Sequence, residues 1–139
     1  VVASTPIDIN LAKQLNILLG NLGVADDRLL IDPTGSGIGY GIEYCYSVME
    51  RIRVAALTQQ DEKLQMPIIC NISKETWKTK EVKIPTKEDP KLGNAEKRGI
   101  LLEAMSAMVL LLAGADVLVM RHPEAIKLTR EMIAELTAS

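Results

Sequence analysis

The chain has 139 residues, 47 % of them apolar and 24 % charged, with a formal net charge of −2. That is the composition of a globular domain with a core of its own, and it excludes a disordered segment. The weak net charge and an aromatic content of 3 %, with no phenylalanine, argue against nucleic acid as a partner, because neither a basic field nor a base-stacking platform is available.

In chain order, Val1 to Ser4 form a short apolar run that ends at Thr5-Pro6. A helix is expected over residues 8–19 with Asp8 as N-cap, closed by Gly20 and Gly23. Residues 28–31 read as the next strand, ending at Asp32-Pro33. A glycine-rich turn follows and leads into a helix over 42–57, where Ile42, Cys45, Val48, Met49, Ile52 and Ala56 recur at helical spacing. Residues 66–70 form a third strand, ending at Asn71. A long lysine-rich loop over 73–94 comes next. A helix is expected over 95–113, with Ile100, Leu101, Met105, Met108, Leu111 and Leu112 on its core side. Gly114 stops it, residues 116–120 form the fourth strand, and 123–136 form the last helix.

The strands are short and apolar without polar alternation, as parallel strands covered on both faces are. Strand and helix alternate, which predicts right-handed βαβ crossovers. The fold class is therefore α/β. Two architectures fit: four consecutive βα units of a TIM-type barrel, which needs ~250 residues when complete, or a small open doubly wound sheet. An isolated half barrel would expose two sheet edges. A missing N-terminal half or self-association is expected for that reason. The chain opens at Val1, within a strand and without Met, which reads as a boundary inside a longer protein.

The two cysteines, Cys45 and Cys70, fall on an apolar helix face and in an apolar strand. They read as buried small hydrophobes in a reducing cytoplasm. They are too few for an iron–sulfur cluster, and no CxxC or HxxxH spacing points to zinc. The longest apolar stretch, residues 104–112, is too short to span a bilayer, and no signal peptide opens the chain, so no membrane partner is expected.

Polar residues gather at the strand C-termini: Thr5 and Asp8, Asp32 and Thr34, Asn71, then Arg121 and His122. In a parallel α/β protein these ends share one rim, where ligands bind. The loop from Gly35 to Gly41 either cradles an anion or flat ligand with its backbone N–H groups or is a turn that needs positive φ. It lacks both the GxGxxG and the P-loop spacing. Asp32 can accept hydrogen bonds from a pterin-like ring or cap the following turn. Asn71 can read an amide edge or be a satisfied loop amide. Arg121 can pair with an amide or phosphate group or sit in an ion pair. His122, the only histidine, can ligate cobalt or shuttle a proton, but before Pro123 at a helix start a structural contact is the expected role. Trp77, the only tryptophan, either anchors a partner or covers the barrel edge. Met66, Met105, Met108 and Met120 read as core filling.

Three runs carry a family resemblance: DPTGSGIGYGIEYCYSVMERIRVAAL from Asp32, MPIICN from Met66 and AGADVLVMRHPEA from Ala113. They resemble the small (delta) subunit of the corrinoid iron–sulfur protein in the acetyl-CoA synthase/decarbonylase system. The likeness implies a full barrel of which this chain is the C-terminal half. It implies pairing with a large subunit that carries the iron–sulfur cluster and a corrinoid domain, with the corrinoid (cobamide) at the interface. It also implies a pterin methyltransferase and acetyl-CoA synthase as further partners. In that system cob(I)amide takes a methyl group from a methylated tetrahydropterin and delivers it to the nickel centre of acetyl-CoA synthase; methanogens can run the sequence in reverse. The subunit is similar in fold to pterin-dependent methyltransferases but is not itself the catalyst.

On this reading Thr5, Asp32, Thr34, Gly35, Asn71 and Arg121 would touch the corrinoid or its domain, and no catalytic or metal-binding residue is expected in the chain itself. There is no DxHxxG corrinoid motif, so His122 is not expected to be a lower axial ligand. A second hypothesis is a methyltransferase barrel in which Asp32 and Asn71 hold the pterin. A third, an oligomer of half barrels, predicts a symmetric assembly of the fragment.

Overall fold

The computed structural model describes residues 1–33 and 39–138. Four short strands, β1 (Val2–Ser4), β2 (Leu30–Asp32), β3 (Ile69–Asn71) and β4 (Val117–Val119), alternate with helices. The long helices are α1 (Ile9–Asn21), α2 (Ile42–Thr58), α5 (Ala95–Leu112) and α6 (Pro123–Thr137). Two short ones, α3 (Ile72–Thr76) and α4 (Lys80–Lys83), lie between β3 and α5.

β1 pairs parallel with β2, setting Ala3 opposite Ile31 and Ser4 opposite Asp32. β3 pairs parallel with β4, setting Cys70 opposite Leu118. A parallel bridge between Ile31 and Ile68 joins the two pairs, and the Ile31 N–H donates to the Pro67 carbonyl at 2.8 Å. Spatial order therefore follows chain order, β1-β2-β3-β4. β3 starts three residues later than the apolar run 66–70 suggests. Pro67 has no N–H to give the ladder, so regular pairing begins beyond it.

One face of this sheet is dry. Ala3, Ile31, Ile68 and Cys70 are buried there, the last three among Ala12 of α1, Cys45, Val48, Met49 and Ile52 of α2, and Ala107 and Leu110 of α5. The alternate residues point the other way, and among them Val2, Ser4, Asn71, Val117 and Val119 are exposed. The helix starts follow from capping. Asp8 Oδ1 accepts the Asn10 and Leu11 N–H groups at 2.7 and 3.1 Å, and Asn94 Oδ1 accepts the Lys97 N–H at 3.1 Å. α5 ends at Gly114, whose φ of +110° suits glycine, and a Cβ there would lie 2.9 Å from the Arg53 side chain. That side chain donates instead to the Gly114 carbonyl and to Asp116.

α5 departs from its expected orientation. Its buried residues are Gly99, Glu103, Ala104, Ser106, Ala107 and Leu110. Leu101, Met105 and Leu112, expected in the core, are 51 %, 65 % and 65 % exposed. The helix is apolar nearly all round, so its pattern does not select a face. Close packing against α2 and the rim selects the small residues instead. Met105 is accordingly not a core residue, whereas Met66 is.

The lysine-rich stretch is also more ordered than a loop. It contains α3, α4 and a 3-10 turn at Pro90–Leu92. Arg98 holds it to α5 by donating to the carbonyls of Glu81, Ile84, Leu92 and Gly93.

Candidate functional site

The C-terminal ends of β1, β2 and β3 open onto a pocket of about 530 Å³ lined by Ser4, Thr5, Asp32, Asn71, Lys74 and Glu75, with Pro6 at its edge. The parallel register brings these residues together. Ser4 stands opposite Asp32 and donates from its hydroxyl to Asp32 Oδ2 at 3.1 Å. The Thr5 N–H continues the ladder to the Asp32 carbonyl at 3.0 Å. Asn71 ends β3, and its Oδ1 accepts the Ser73 hydroxyl at 2.9 Å, which fixes which end of the amide carries the N–H donors. α3 follows immediately and brings Lys74 and Glu75 over the opening. A Cβ on Gly39 would lie 3.9 Å from Glu75 Oε2, so the far end of the glycine-rich turn reaches the same rim.

Thr5 is 7 % exposed, and its Oγ1 is buried without a hydrogen-bond partner among the described residues, as are Asn16 Oδ1 and Thr76 Oγ1; of the three residues only Thr5 lines the opening. An unpaired buried hydroxyl costs about 1–3 kcal/mol. Beneath the pocket the core is dry. Burial pushes the Cys45 thiol up to about 11, with smaller upward contributions from the Glu43 and Asp32 carboxylates. Cys45 and Cys70 are both free thiols. Among the described residues no group of three or more His, Cys, Asp or Glu side chains is placed to hold a metal ion, and no helix is long and apolar enough to cross a membrane.

Thr5, Asp32 and Asn71 thus converge on one opening. Arg121 does not line it. Its guanidinium lies 5.6 Å above the Trp77 ring, which also stacks on His122 with ring centres 5.8 Å apart. Thr34 and Gly35 fall outside the described residues. His122 takes a structural place: its Nδ1 caps α6 by accepting the Glu124 N–H at 3.2 Å.

The group that organises the β4 end is one that sequence reading passes over. Glu103 is fully buried in α5. Its carboxylate accepts the Trp77 indole N–H at 2.9 Å and the backbone N–H groups of Arg121 and His122 at 2.5 and 3.1 Å. The only hint in the sequence is a lone acid inside an apolar helical run. Gly99, one turn earlier, leaves the space the indole fills: a Cβ there would come within 2.7 Å of the ring.

The family model for the CO dehydrogenase/acetyl-CoA synthase delta subunit matches residues 1–136. The chain belongs to this family. It is 42 % identical over 131 residues to the acetyl-CoA decarbonylase/synthase complex subunit delta of Methanopyrus kandleri, covering 94 % of this chain and 32 % of that protein. It is 36 % identical over 140 residues to subunit delta 2 of Methanosarcina acetivorans, covering 98 % and 32 %. The same identity holds for subunit delta of Archaeoglobus fulgidus, covering 98 % and 30 %. The chain therefore spans about a third of the length of these delta subunits, and the matched part includes the opening at Thr5, Asp32 and Asn71 and the Glu103 cluster.

Proposed function

We propose that the chain is an arc of four βα units of a TIM-type barrel in a delta subunit. In this proposal its strand-end opening helps hold and shield a corrinoid, at the interface with a large corrinoid/iron–sulfur subunit, during methyl transfer between a tetrahydropterin and the nickel centre of acetyl-CoA synthase. The barrel reading is supported by strand order that never reverses, whereas a doubly wound sheet turns back on itself. It is supported too by a sheet face left open at Val2, Val117 and Val119, which a barrel interior would fill.

The observation that carries the functional reading is the Thr5 hydroxyl, buried at the opening without a partner among the described residues, beside Asp32 and the amide of Asn71. Such a set suits a ligand edge that presents both donors and acceptors, as the amide arms of a corrinoid do. When bound, the corrinoid supplies the cobalt on which the methyl group travels. The chain's own residues position and cover: Thr5, Asp32 and Asn71 hold the ligand edge, and α3, with Lys74 and Glu75, flanks the opening and limits water. In this proposal the chain needs no catalytic group of its own.

The test is a titration of the full-length subunit, with its large partner, by cobalamin and separately by methyltetrahydropterin. Cobalamin binding that weakens about tenfold in Thr5→Val supports the proposal. Tight pterin binding with methyl transfer to free cobalamin would overturn it in favour of a methyltransferase.

A further inference from the structure

We infer that Glu103, which does not line the opening, is a positioning residue for it: through Trp77 and Ser73 it fixes the amide of Asn71 and the short helix that carries Lys74 and Glu75. This rests on the functional reading above. The helix in question, α3, has only five residues, Ile72–Thr76. A helix that short does not hold itself together in water, so its place is set by what it is tied to. Ile72 sinks into the core, but apolar contact is non-directional. Direction comes from hydrogen bonds.

Those bonds run in an unbroken series from α5 to the opening. Glu103 Oε2 accepts the Trp77 indole N–H at 2.9 Å. Trp77 closes α3, and its backbone N–H donates to the Ser73 carbonyl at 3.4 Å. The Ser73 hydroxyl donates to Asn71 Oδ1 at 2.9 Å. Asn71 lines the opening, as do Lys74 and Glu75. The same Glu103 carboxylate accepts the backbone N–H groups of Arg121 and His122, so the series is also tied to the end of β4.

α5 carries two local penalties for this arrangement. A carboxylate at 0 % exposure gives up its hydration. Gly99 weakens the helix and leaves the room that the indole occupies, since a Cβ there would come within 2.7 Å of the ring. Burying Ile72 requires neither. Places where a sequence breaks a local rule in this way are commonly those where function sets the geometry. Coupling between Glu103 and the opening is then a measurable quantity rather than a matter of proximity.

The protein for the test is the full-length delta subunit with its large partner, titrated with cobalamin. Glu103→Ala strands three buried donors, so two milder variants keep the test readable. Trp77→Phe retains a ring over Gly99 and removes the indole N–H, and Ser73→Ala cuts the link to Asn71. Each is expected to weaken cobalamin binding about fivefold while the circular dichroism stays that of the intact protein. Because the links lie in series, the double variant loses no more than the larger single loss, whereas Thr5→Val, outside the series, multiplies with either. In the ligand-free subunit, hydrogen exchange over residues 71–77 rises in both variants. A merely structural cluster shifts the unfolding midpoint and leaves affinity alone. Unchanged affinity in both variants, with binding weakened in Thr5→Val, therefore overturns this inference and leaves the functional reading standing. Losses that multiply in the double variant, or unchanged exchange over residues 71–77, overturn the series. Absence of cobalamin binding by the intact complex overturns both.

Discussion

The two ends of the strand rim treat polar groups in opposite ways. At β4, the Glu103 carboxylate takes three N–H donors, and the Trp77 ring contacts both His122 and Arg121. At β1 to β3, a buried threonine hydroxyl has no partner among the described residues, and an asparagine there accepts a bond from Ser73 through its amide oxygen. Matched polar groups rigidify a fold, while an unmatched one beside an opening can take its partner from a ligand. Arg121, grouped with Thr5, Asp32 and Asn71 when only chain order is known, belongs to the matched end.

The largest expected effect comes from breaking the matched end. Glu103→Ala strands three donors and is expected to destabilise the full-length protein by about 3 kcal/mol, with Glu103→Gln losing about half of that, by urea unfolding followed by circular dichroism. A loss below about 1 kcal/mol would show that the cluster is replaceable by water. Gly99→Ala pushes a methyl group to within 2.7 Å of the Trp77 ring and 3.2 Å of Val82 Cγ1 and should cost about 2 kcal/mol, recovered only in part in the double variant with Trp77→Leu, which relieves the closer clash and gives up the indole bond to Glu103.

The unmatched end responds more quietly. The raised Cys45 thiol gives a pH signature. Its folded value, about 11, lies above the ordinary 9.0, so its contribution to stability is whole below pH 9 and is lost as pH rises toward about 11. The stability difference between the native protein and Cys45→Ala should therefore shrink over that window, and a difference constant from pH 8 to about 11 would show that water reaches the thiol. The smallest effect on stability is expected for Thr5→Val, which keeps the shape and removes the orphan hydroxyl. Stability should stay within about 0.5 kcal/mol or rise, while cobalamin affinity falls. A loss of about 2 kcal/mol without any change in affinity would mean that the hydroxyl is satisfied internally.

How much of this is legible in the chain itself varies by element. The four strand–helix units read directly, because Asp8, Pro33, Gly114 and Pro123 punctuate apolar runs in ways that have few backbone solutions. The face of α2 reads equally well, since Cys45, Val48, Met49, Ile52 and Ala56, which recur at helical spacing, are all buried. α5 does not, because apolar residues surround it and only tertiary packing picks the small face. Thr5, Asp32 and Asn71 are legible as strand ends, and the parallel register does the rest. Glu103 is not, since nothing local tells a buried acid from a solvated one when its partners lie 18 to 26 residues away. The order within residues 73–94 was hidden for a related reason: a polar stretch looks like a loop until one arginine is seen gathering its carbonyls.

Trp77 has an optical consequence. It is the sole indole of these 139 residues, and the cluster that clamps it is at the rim. Its ultraviolet emission overlaps the absorption of any coloured macrocycle brought close, so resonance energy transfer would dim it without a label. Subtracting the signal of Trp77→Phe from that of the intact subunit would turn this side chain into a native ruler for how near the cap descends.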